Sequence, residues 1–193
     1  MLIPASGFIL IGGRSRRFGA PKWKAKLAGQ TLLDRTWKLA DSLFRETYVV
    51  TKKGQGPGQK PTVMDVVDFR SPLSGIYSVL KTTNTKWNFV LACDLPLISG
   101  SVIIQLWKHV QKDVEIVVPE TLRGPEPACA FYSRSVLPAC EEMIARKDYA
   151  LHHLIDLSTS VAVDFSREED RFVNINTPED LERARIVLEK GSV

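Results

Sequence analysis

Two hydrophobic patterns alternate along the chain. Short continuous apolar runs have the length of buried β-strands, and longer segments with apolar residues every three or four positions are typical of amphipathic helices. The pattern predicts strands at residues 7–11, 47–51, 62–64, 88–92, 114–118, 129–132, 161–165 and 172–175. It predicts helices capped by Thr31 and Ser74, helices over residues 103–110 and 135–146, and a closing helix from Pro178.

Strands that alternate with helices indicate an α/β fold, in which a mostly parallel sheet carries helices on both faces. A chain of 193 residues is long enough for one hydrophobic core and short for two. We therefore expect a single domain over residues 1–193.

Composition narrows the function classes. The chain is 44% hydrophobic and 25% charged, with a net charge of +4, and no basic run is long enough to follow a nucleic-acid backbone. No apolar stretch reaches the roughly 20 residues of a membrane span, and the first ten residues lack the basic flank of a secretory signal. We expect a cytoplasmic protein that binds neither nucleic acid nor membrane, with Cys93, Cys129 and Cys140 reduced and mostly filling the core.

The segment over residues 12–22 concentrates glycines and cations directly after the first predicted strand. Glycines allow the backbone N–H groups to approach a ligand closely, and arginine and lysine add the positive charge that suits phosphate. The segment lacks the Gly-Lys-Ser/Thr ending of a P-loop, and its glycine spacing differs from a dinucleotide fingerprint. The alternative is a surface turn with solvated basic side chains.

Asp94 follows the strongly apolar run at residues 88–92, which places its carboxylate at the carboxyl edge of the predicted sheet. Open α/β sheets bind their ligands at this edge. Magnesium prefers carboxylate and phosphate oxygens and needs only one or two protein ligands, so Asp94 is our candidate metal ligand. The alternative is that Asp94 only caps a turn.

Further polar residues follow two other predicted strands. Asp65 and Asp68 lie after the run at residues 62–64, where a carboxylate could accept hydrogen bonds from a ligand; the alternative is that both are solvated loop acids. Near the end, Thr177-Pro178-x-Asp180 is a good helix start, but capping does not require the neighbouring Asn174 and Asn176.

In this order, the segments resemble the molybdenum cofactor guanylyltransferases, a nucleotidyltransferase family. The family's glycine-rich loop has the pattern Leu-x-Gly-Gly-x-Ser-x-Arg-x-Gly-x-x-Lys. The strand that precedes the family's metal-binding aspartate ends in Cys-Asp-x-Pro, and the family's C-terminal segment is similar to residues 172–181. The resemblance extends from Leu10 to Leu181. Matching loop positions are Leu10, Gly12, Gly13, Ser15, Arg17, Gly19 and Lys22, and Cys93, Asp94 and Pro96 match the strand end.

The resemblance implies a Rossmann-like three-layer α/β/α fold of the nucleotide-diphospho-sugar transferase type. It implies transfer of GMP from GTP to the phosphate of molybdopterin, with release of pyrophosphate and Mg²⁺ on Asp94. The implied catalytic residues are Lys22, Arg17 and Asp94. The implied nucleotide-binding residues are Leu10, Ile11, Gly12, Gly13, Lys22, Thr51, Asp65 and Asp94, and the implied acceptor-binding residues are Asn174 and Asn176. In the family, an aspartate after the strand at residues 62–64 accepts two hydrogen bonds from guanine; Asp65 matches its place better than Asp68, although the two are close enough to exchange roles.

Three positions depart from the family pattern. Pro21 replaces an aspartate that often precedes the lysine, so Lys24 or Lys26 could share the task of Lys22. Ser71 replaces the first glycine of Gly-Pro-Leu-x-Gly, and Thr51 replaces an asparagine.

Two rival functions remain at this point. One is a cytidylyl- or adenylyltransferase of the same fold that acts on molybdopterin or a sugar phosphate. The other is a non-catalytic protein that binds nucleotide or delivers cofactor. The implied partners, besides GTP and molybdopterin, are transient contacts with cofactor-biosynthesis proteins or apo-molybdoenzymes.

Overall fold

The computed structural model describes residues 2–11, 21–52, 57–69 and 71–191. Within these residues the chain forms ten strands and six α-helices. The strands are β1 Ser6–Leu10, β2 Lys26–Leu27, β3 Gln30–Thr31, β4 Thr47–Thr51, β5 Thr62–Met64, β6 Trp87–Ala92, β7 Ile116–Thr121, β8 Gly124–Pro125, β9 Cys129–Ser133 and β10 Ser160–Asp164. The helices are α1 Leu32–Leu43, α2 Pro72–Thr82, α3 Gly100–Trp107, α4 Leu137–Ala145, α5 Leu151–Asp156 and α6 Pro178–Glu189.

One mixed sheet organises the molecule, with the strand order β10-β7-β9-β6-β1-β4-β5 and with β8 paired to β7. Strand β1 lies parallel to β4 on one side and to β6 on the other, and β5 is parallel to β4. The chain thus runs outward from β1 through β4 to β5 and then returns to the opposite side of β1. Such a reversal of strand order is where open α/β sheets bind ligands.

Helices cover both faces of this sheet because successive strand residues point to opposite sides. Ile9 of β1 packs in one cluster with α1 and α3, whereas its neighbours Phe8 and Leu10 pack in another with α2, α4 and α5. A third cluster joins α6 to the β2–β3 hairpin through Leu27 and Val187. The predicted three-layer, mostly parallel α/β fold is confirmed.

Two predicted elements were wrong. Helix α2 is capped by Ser71, whose hydroxyl accepts from the Leu73 amide, and Pro72 occupies the first helical position, where its missing N–H costs nothing. Ser74 lies inside the helix. Residues 172–175 form no strand: a 3₁₀ turn, Glu169–Phe172, precedes a segment whose buried side chains pack against the neighbouring elements rather than in the sheet.

Smaller differences concern boundaries and direction. Strand β7 begins at Ile116, two residues later than predicted, and the helix predicted from residue 135 starts with a 3₁₀ turn, Arg134–Val136, before α4. Strand β9 runs antiparallel to both β6 and β7. The hairpin β2–β3, strand β8 and helix α5 were not predicted.

The three cysteines are free and buried, as expected of core-filling residues. Burial raises the pKa of the Cys140 thiol to about 12, and burial likewise raises the pKa of Cys93 and Cys129. Among the described residues, none of the helices combines the length and apolar character required to cross a bilayer.

Candidate functional site

The candidate site lies at the carboxyl ends of β6, β1, β4 and β5, which meet at one edge because these strands are parallel. Leu10 and Ile11 are buried at the end of β1, where the Leu10 carbonyl accepts from the Cys93 amide at 3.0 Å. The Ile11 amide donates to the Val50 carbonyl at 3.3 Å. The predicted loop residues Gly12, Gly13 and Arg17 lie outside the described residues.

Lys22 reaches the end of β6 from a 3₁₀ turn, Lys22–Lys24, that follows Pro21. Its ammonium lies 2.7 Å from Asp94 Oδ2 and 2.8 Å from Asn176 Oδ1. Lys24 instead lies 5.1 Å from the centroid of the Trp23 ring, and Lys26 is exposed. Pro21 therefore does not prevent Lys22 from reaching the predicted metal ligand.

Asp94 is fixed where β6 turns away from the sheet. Its carbonyl accepts a 2.8 Å hydrogen bond from the Ile175 amide, which draws the C-terminal segment against the end of β6. Its Oδ1 is buried and accepts no hydrogen bond from any described residue, and the same holds for Asn174 Oδ1. A buried acceptor without a donor is costly, and a hard cation satisfies such an oxygen.

These two oxygens fit a magnesium ion. Carboxylate and amide oxygens are hard ligands, and one or two of them are enough when phosphate and water complete the coordination. Among the residues that the structure describes, there is no group of three or more histidine, cysteine, aspartate or glutamate side chains that could hold a metal.

The start of α6 fixes the segment that carries Asn174 and Asn176. Thr177 and Asp180 form a capping box, in which the Thr177 hydroxyl accepts from the Asp180 amide and the Asp180 carboxylate accepts from the Thr177 amide. The same carboxylate accepts from the Asn176 amide at 2.8 Å. The backbone of Asn176 is thus fixed, and its side-chain amide extends to Lys22. Lys22, Asp94 and Asn176 therefore belong to one junction. Asn174 is adjacent in the chain to Ile175, whose amide donates to the Asp94 carbonyl.

The second half of the predicted site lies at the ends of β4 and β5. Thr51 is buried, and its hydroxyl donates to the Lys52 carbonyl at 3.2 Å. The Asp65 amide donates to the Thr51 carbonyl, and only 6% of the Asp65 side chain is exposed. Asp68 is exposed. Nothing in this geometry assigns base recognition to either carboxylate, so that assignment stays a prediction.

Ser71, which departs from the family glycine, is accommodated without strain. Its φ of −151° is extended backbone that any residue adopts, so no glycine is needed here. Besides capping α2, its hydroxyl donates to the Tyr149 carbonyl at 3.0 Å.

Two residues near the site were not predicted. Lys52 contacts the segment after β5 through its ammonium group. Glu126 is half-buried; burial raises the pKa of its carboxyl, the negative charge of Asp94 raises it further, and the Ala128 amide and Arg123 oppose the shift. A lysine after a strand carries no sequence signal of burial. Glu126, by contrast, belongs to the Arg123-to-Pro127 loop, whose resemblance to a family loop implies a contact with the acceptor but assigns no role to Glu126 itself.

Comparison with known proteins gives a consistent picture. The family model described as "MobA-like NTP transferase domain" matches residues 7–162. A protein of Desulfosudis oleivorans named "Molybdenum cofactor guanylyltransferase" is 31% identical, over 97% of this chain and 98% of its own length.

Two solved structures share the fold. One is "Molybdopterin-guanine dinucleotide biosynthesis protein A" from Archaeoglobus fulgidus, with a TM-score of 0.80 and 23% identity, over 96% of this chain and 99% of that one. The other is "2-C-methyl-D-erythritol 4-phosphate cytidylyltransferase" from Thermus thermophilus, with a TM-score of 0.70 and 17% identity, over 97% and 100% of the two chains. Because the names of these two proteins differ in both the base and the acceptor, the fold alone determines neither the base nor the acceptor.

Proposed function

Since the chain belongs to the MobA-like NTP transferase family, we propose that it is a magnesium-dependent guanylyltransferase that transfers GMP from GTP to molybdopterin. The observation that carries the proposal is the junction of Lys22, Asp94 and Asn176, where a cation, a carboxylate and an amide converge at the ligand-binding edge of the sheet. The names of the relatives supply the base and the acceptor.

The proposed reaction forms one bond and breaks one. An oxygen of the molybdopterin phosphate attacks the α-phosphorus of GTP, the bond from that phosphorus to the bridging oxygen of the β-phosphate breaks, and pyrophosphate leaves. The attacking phosphate is already ionised, so the reaction depends on alignment and charge neutralisation more than on a general base. Magnesium, when bound, neutralises charge on the triphosphate.

The described residues divide this work. Asp94 Oδ1 and Asn174 Oδ1 are the oxygens that would hold the metal, because both are buried and neither accepts a hydrogen bond from a described residue. Lys22 would donate to phosphate oxygens from its position beside Asp94. Asn176 orients Lys22 on the side of the C-terminal segment, where the acceptor phosphate would lie. Arg17 is proposed from the family loop to add charge at the triphosphate.

The test is product identification. The protein is incubated with molybdopterin, magnesium and GTP, CTP or ATP in turn, and the product mass and pyrophosphate release are measured. We expect a guanine dinucleotide product with GTP. Asp94→Asn should abolish magnesium-dependent pyrophosphate release while the protein remains folded.

Each rival function has its own signature in this assay. A cytidine or adenine dinucleotide would support a transferase of different base preference, and nucleotide binding without pyrophosphate release would support a cofactor-delivery protein. Full turnover by Asp94→Asn would remove Asp94 from the mechanism. A cytoplasmic location and transient contacts with other molybdenum-cofactor proteins stay predictions.

A further inference from the structure

Lys52, the first residue after β4, has its charged end enclosed by protein. Its ammonium donates to the Val67 and Phe69 carbonyls, each at 2.9 Å, and lies 3.0 Å from Asp65 Oδ2. Two of the three ammonium protons are thus used in hydrogen bonds to backbone carbonyls of the loop, and the ion pair with Asp65 adds a charged contact. Only 26% of the side chain is exposed. Lys52 is therefore an internal cross-link rather than a solvated loop lysine.

The Asp65 carboxylate also contacts several groups that can donate to it. Val67 N and Ser78 Oγ lie 3.2 Å and 3.0 Å from Oδ1, Ser74 Oγ lies 2.7 Å from Oδ2, and Lys52 forms its ion pair with Oδ2. Each serine hydroxyl has a single proton and also lies 2.7 Å from a backbone carbonyl at the start of α2, so it can donate either to that carbonyl or to the carboxylate. The two serines belong to α2. The network thus joins the end of β4, the loop over residues 65–69 and the first turns of α2.

This network lies at the end of the site opposite the metal junction. Asp94 follows β6, Lys52 follows β4 and Asp65 follows β5, in the strand order β6-β1-β4-β5. Three steps between neighbouring strands span roughly 14 Å. That span has the scale of an extended nucleoside triphosphate. With the phosphates at Asp94, the base reaches the loop over residues 65–69.

The loop needs such a cross-link to select a base. Loops are the most mobile parts of a fold, and an acceptor or donor that moves cannot discriminate between bases that differ in their hydrogen-bonding edges. Lys52 holds the carbonyls on both sides of Asp68 and the carboxylate at the start of the loop. Phe69, in turn, stacks on Tyr149 with ring centroids 4.3 Å apart.

We infer that Lys52 is a positioning residue for nucleobase selection, which fixes the loop over residues 65–69 so that its polar groups meet the base in one geometry. The inference rests on the proposed nucleotidyltransferase function and adds a residue to its specificity. Lys52 itself does not touch the reacting atoms. Its loss should therefore affect nucleotide binding and selectivity and leave the chemical step nearly unchanged.

The test compares Lys52→Met, Lys52→Arg and Lys60→Met. Methionine keeps the length and apolar stem but has no donors, and arginine restores charge and donors in a different shape. Lys60 is a matched control: its side chain is 25% exposed, and its ammonium lies 3.1 Å from Asp34 Oδ1 in the first turn of α1, outside the loop over residues 65–69. Steady-state kcat and KM are measured with GTP, CTP and ATP, and binding of each is measured by calorimetry.

Lys52→Met should raise KM for the preferred nucleotide by about tenfold or more and reduce its preference over the other two to a similar extent, with kcat changed less than about threefold. Lys52→Arg should recover part of the selectivity, and Lys60→Met should retain all of it. If Lys52→Met does not fold, Lys52→Gln, which keeps two donors without the charge, should show the same loss in smaller degree.

Three outcomes would overturn the inference: unchanged KM and selectivity in the folded Lys52 variants, an equal loss in Lys60→Met, or a loss confined to kcat. Failure of the proposed function is seen separately in the wild-type protein. If the wild type prefers CTP, the guanine assignment fails, but Lys52 is still judged by whether its loss erases that preference. If the wild type transfers no nucleotide, the proposed function fails, and the Lys52 inference is judged by whether the calorimetric preference among the three nucleotides is lost in Lys52→Met. If the wild type binds no nucleotide at all, both the proposed function and the Lys52 inference are overturned.

Discussion

Lys22→Ala tests the charge-neutralising role that the proposed mechanism gives to this lysine. The Lys22 ammonium lies 2.7 Å from the proposed metal ligand Asp94, so it is adjacent to the place where we propose that the triphosphate binds. Only 17% of the Lys22 side chain is exposed, so solvent cannot readily replace its charge. Removing a preorganised donor of this kind costs about 2 to 4 kcal/mol of transition-state stabilisation.

That free energy corresponds to a loss of roughly 30- to 900-fold in rate. Because the charge being stabilised grows as the bond to pyrophosphate breaks, we expect kcat and kcat/KM to fall together. The assay is steady-state pyrophosphate release at saturating magnesium. Lys24→Ala is the control. Lys24 is two residues from Lys22 in the chain, but its ammonium lies over the Trp23 ring, so the variant should lose less than about twofold in kcat.

The result that would refute this reasoning is a Lys22→Ala enzyme within threefold of the wild type. A rise in KM with constant kcat would also contradict it, since that pattern shows uniform binding rather than transition-state stabilisation. An unfolding temperature close to that of the wild type is required for either conclusion. A large loss in Lys24→Ala would instead move the role to the neighbouring lysine.

Three further predictions follow from single contacts. Asn174→Ala should raise the magnesium concentration needed for half-maximal activity with little loss of stability, as measured by metal titration and thermal unfolding, because no described residue donates to its buried Oδ1. Glu126→Gln should be more stable than the wild type above pH 4.5, the ordinary pKa of glutamate. Because the pKa of Glu126 is raised in the folded protein, the wild type loses stability as the pH rises above that value, and glutamine does not ionise. Thermal unfolding at pH 4 and pH 8 should show the gain only at pH 8. Gly75→Ala should be less stable in denaturant unfolding than Gly100→Ala. A Cβ at position 75 would lie 2.9 Å from Leu10 Cδ2, whereas the nearest side-chain atom to a Cβ at position 100 would be 3.8 Å away.

Local patterns predicted most of the fold because they depend on nearest neighbours in the chain. The apolar run of β1 and the helical spacing of α1 appear where expected, and the Thr31 hydroxyl accepts from the Asp34 amide at 3.0 Å. The segment at residues 172–175 shows the limit of this reasoning. Val173 and Ile175 are buried by α6 and the β2–β3 hairpin, whereas Phe172 packs in the cluster of α1 and α3. An apolar pattern does not distinguish burial in a sheet from burial beneath a helix.

The antiparallel direction of β9 could not be predicted either, because an apolar run has the same pattern in a parallel and in an antiparallel strand. The capping of α2, by contrast, was readable. Ser71-Pro72 places proline at the first helical position, and that rule favours Ser71 over Ser74. Ser74 is instead explained by a contact nine residues back in the chain, to Asp65, which local periodicity cannot reveal.

The convergence of Asp94, Lys22 and Asn176 agrees with the carboxyl-edge rule and the family motifs, whereas the roles of these residues stay predictions. That rule placed Asp94, and the motifs supplied Lys22 and Asn176. The structure brings the three together although they are separated by 72 and 154 residues measured from Lys22. The contacts of Lys52 were not predicted, because two of its three partners are backbone carbonyls, whose direction has no sequence signal, and the third, Asp65, lies 13 residues away in the chain.

The two ends of the site differ in how the sheet supports them, and this difference assigns them different tasks. Asp94 follows β6, which is paired on both sides, with β1 and β9, so the proposed metal ligand is held by two ladders. The loop over residues 65–69 follows β5, which has three residues and one partner among the described strands. An edge strand of that length cannot fix a loop by its ladder alone, so side chains must do so. Changes at the β6 end should therefore alter kcat, whereas changes at Lys52, Ser74 or Ser78 should alter which nucleotide is bound.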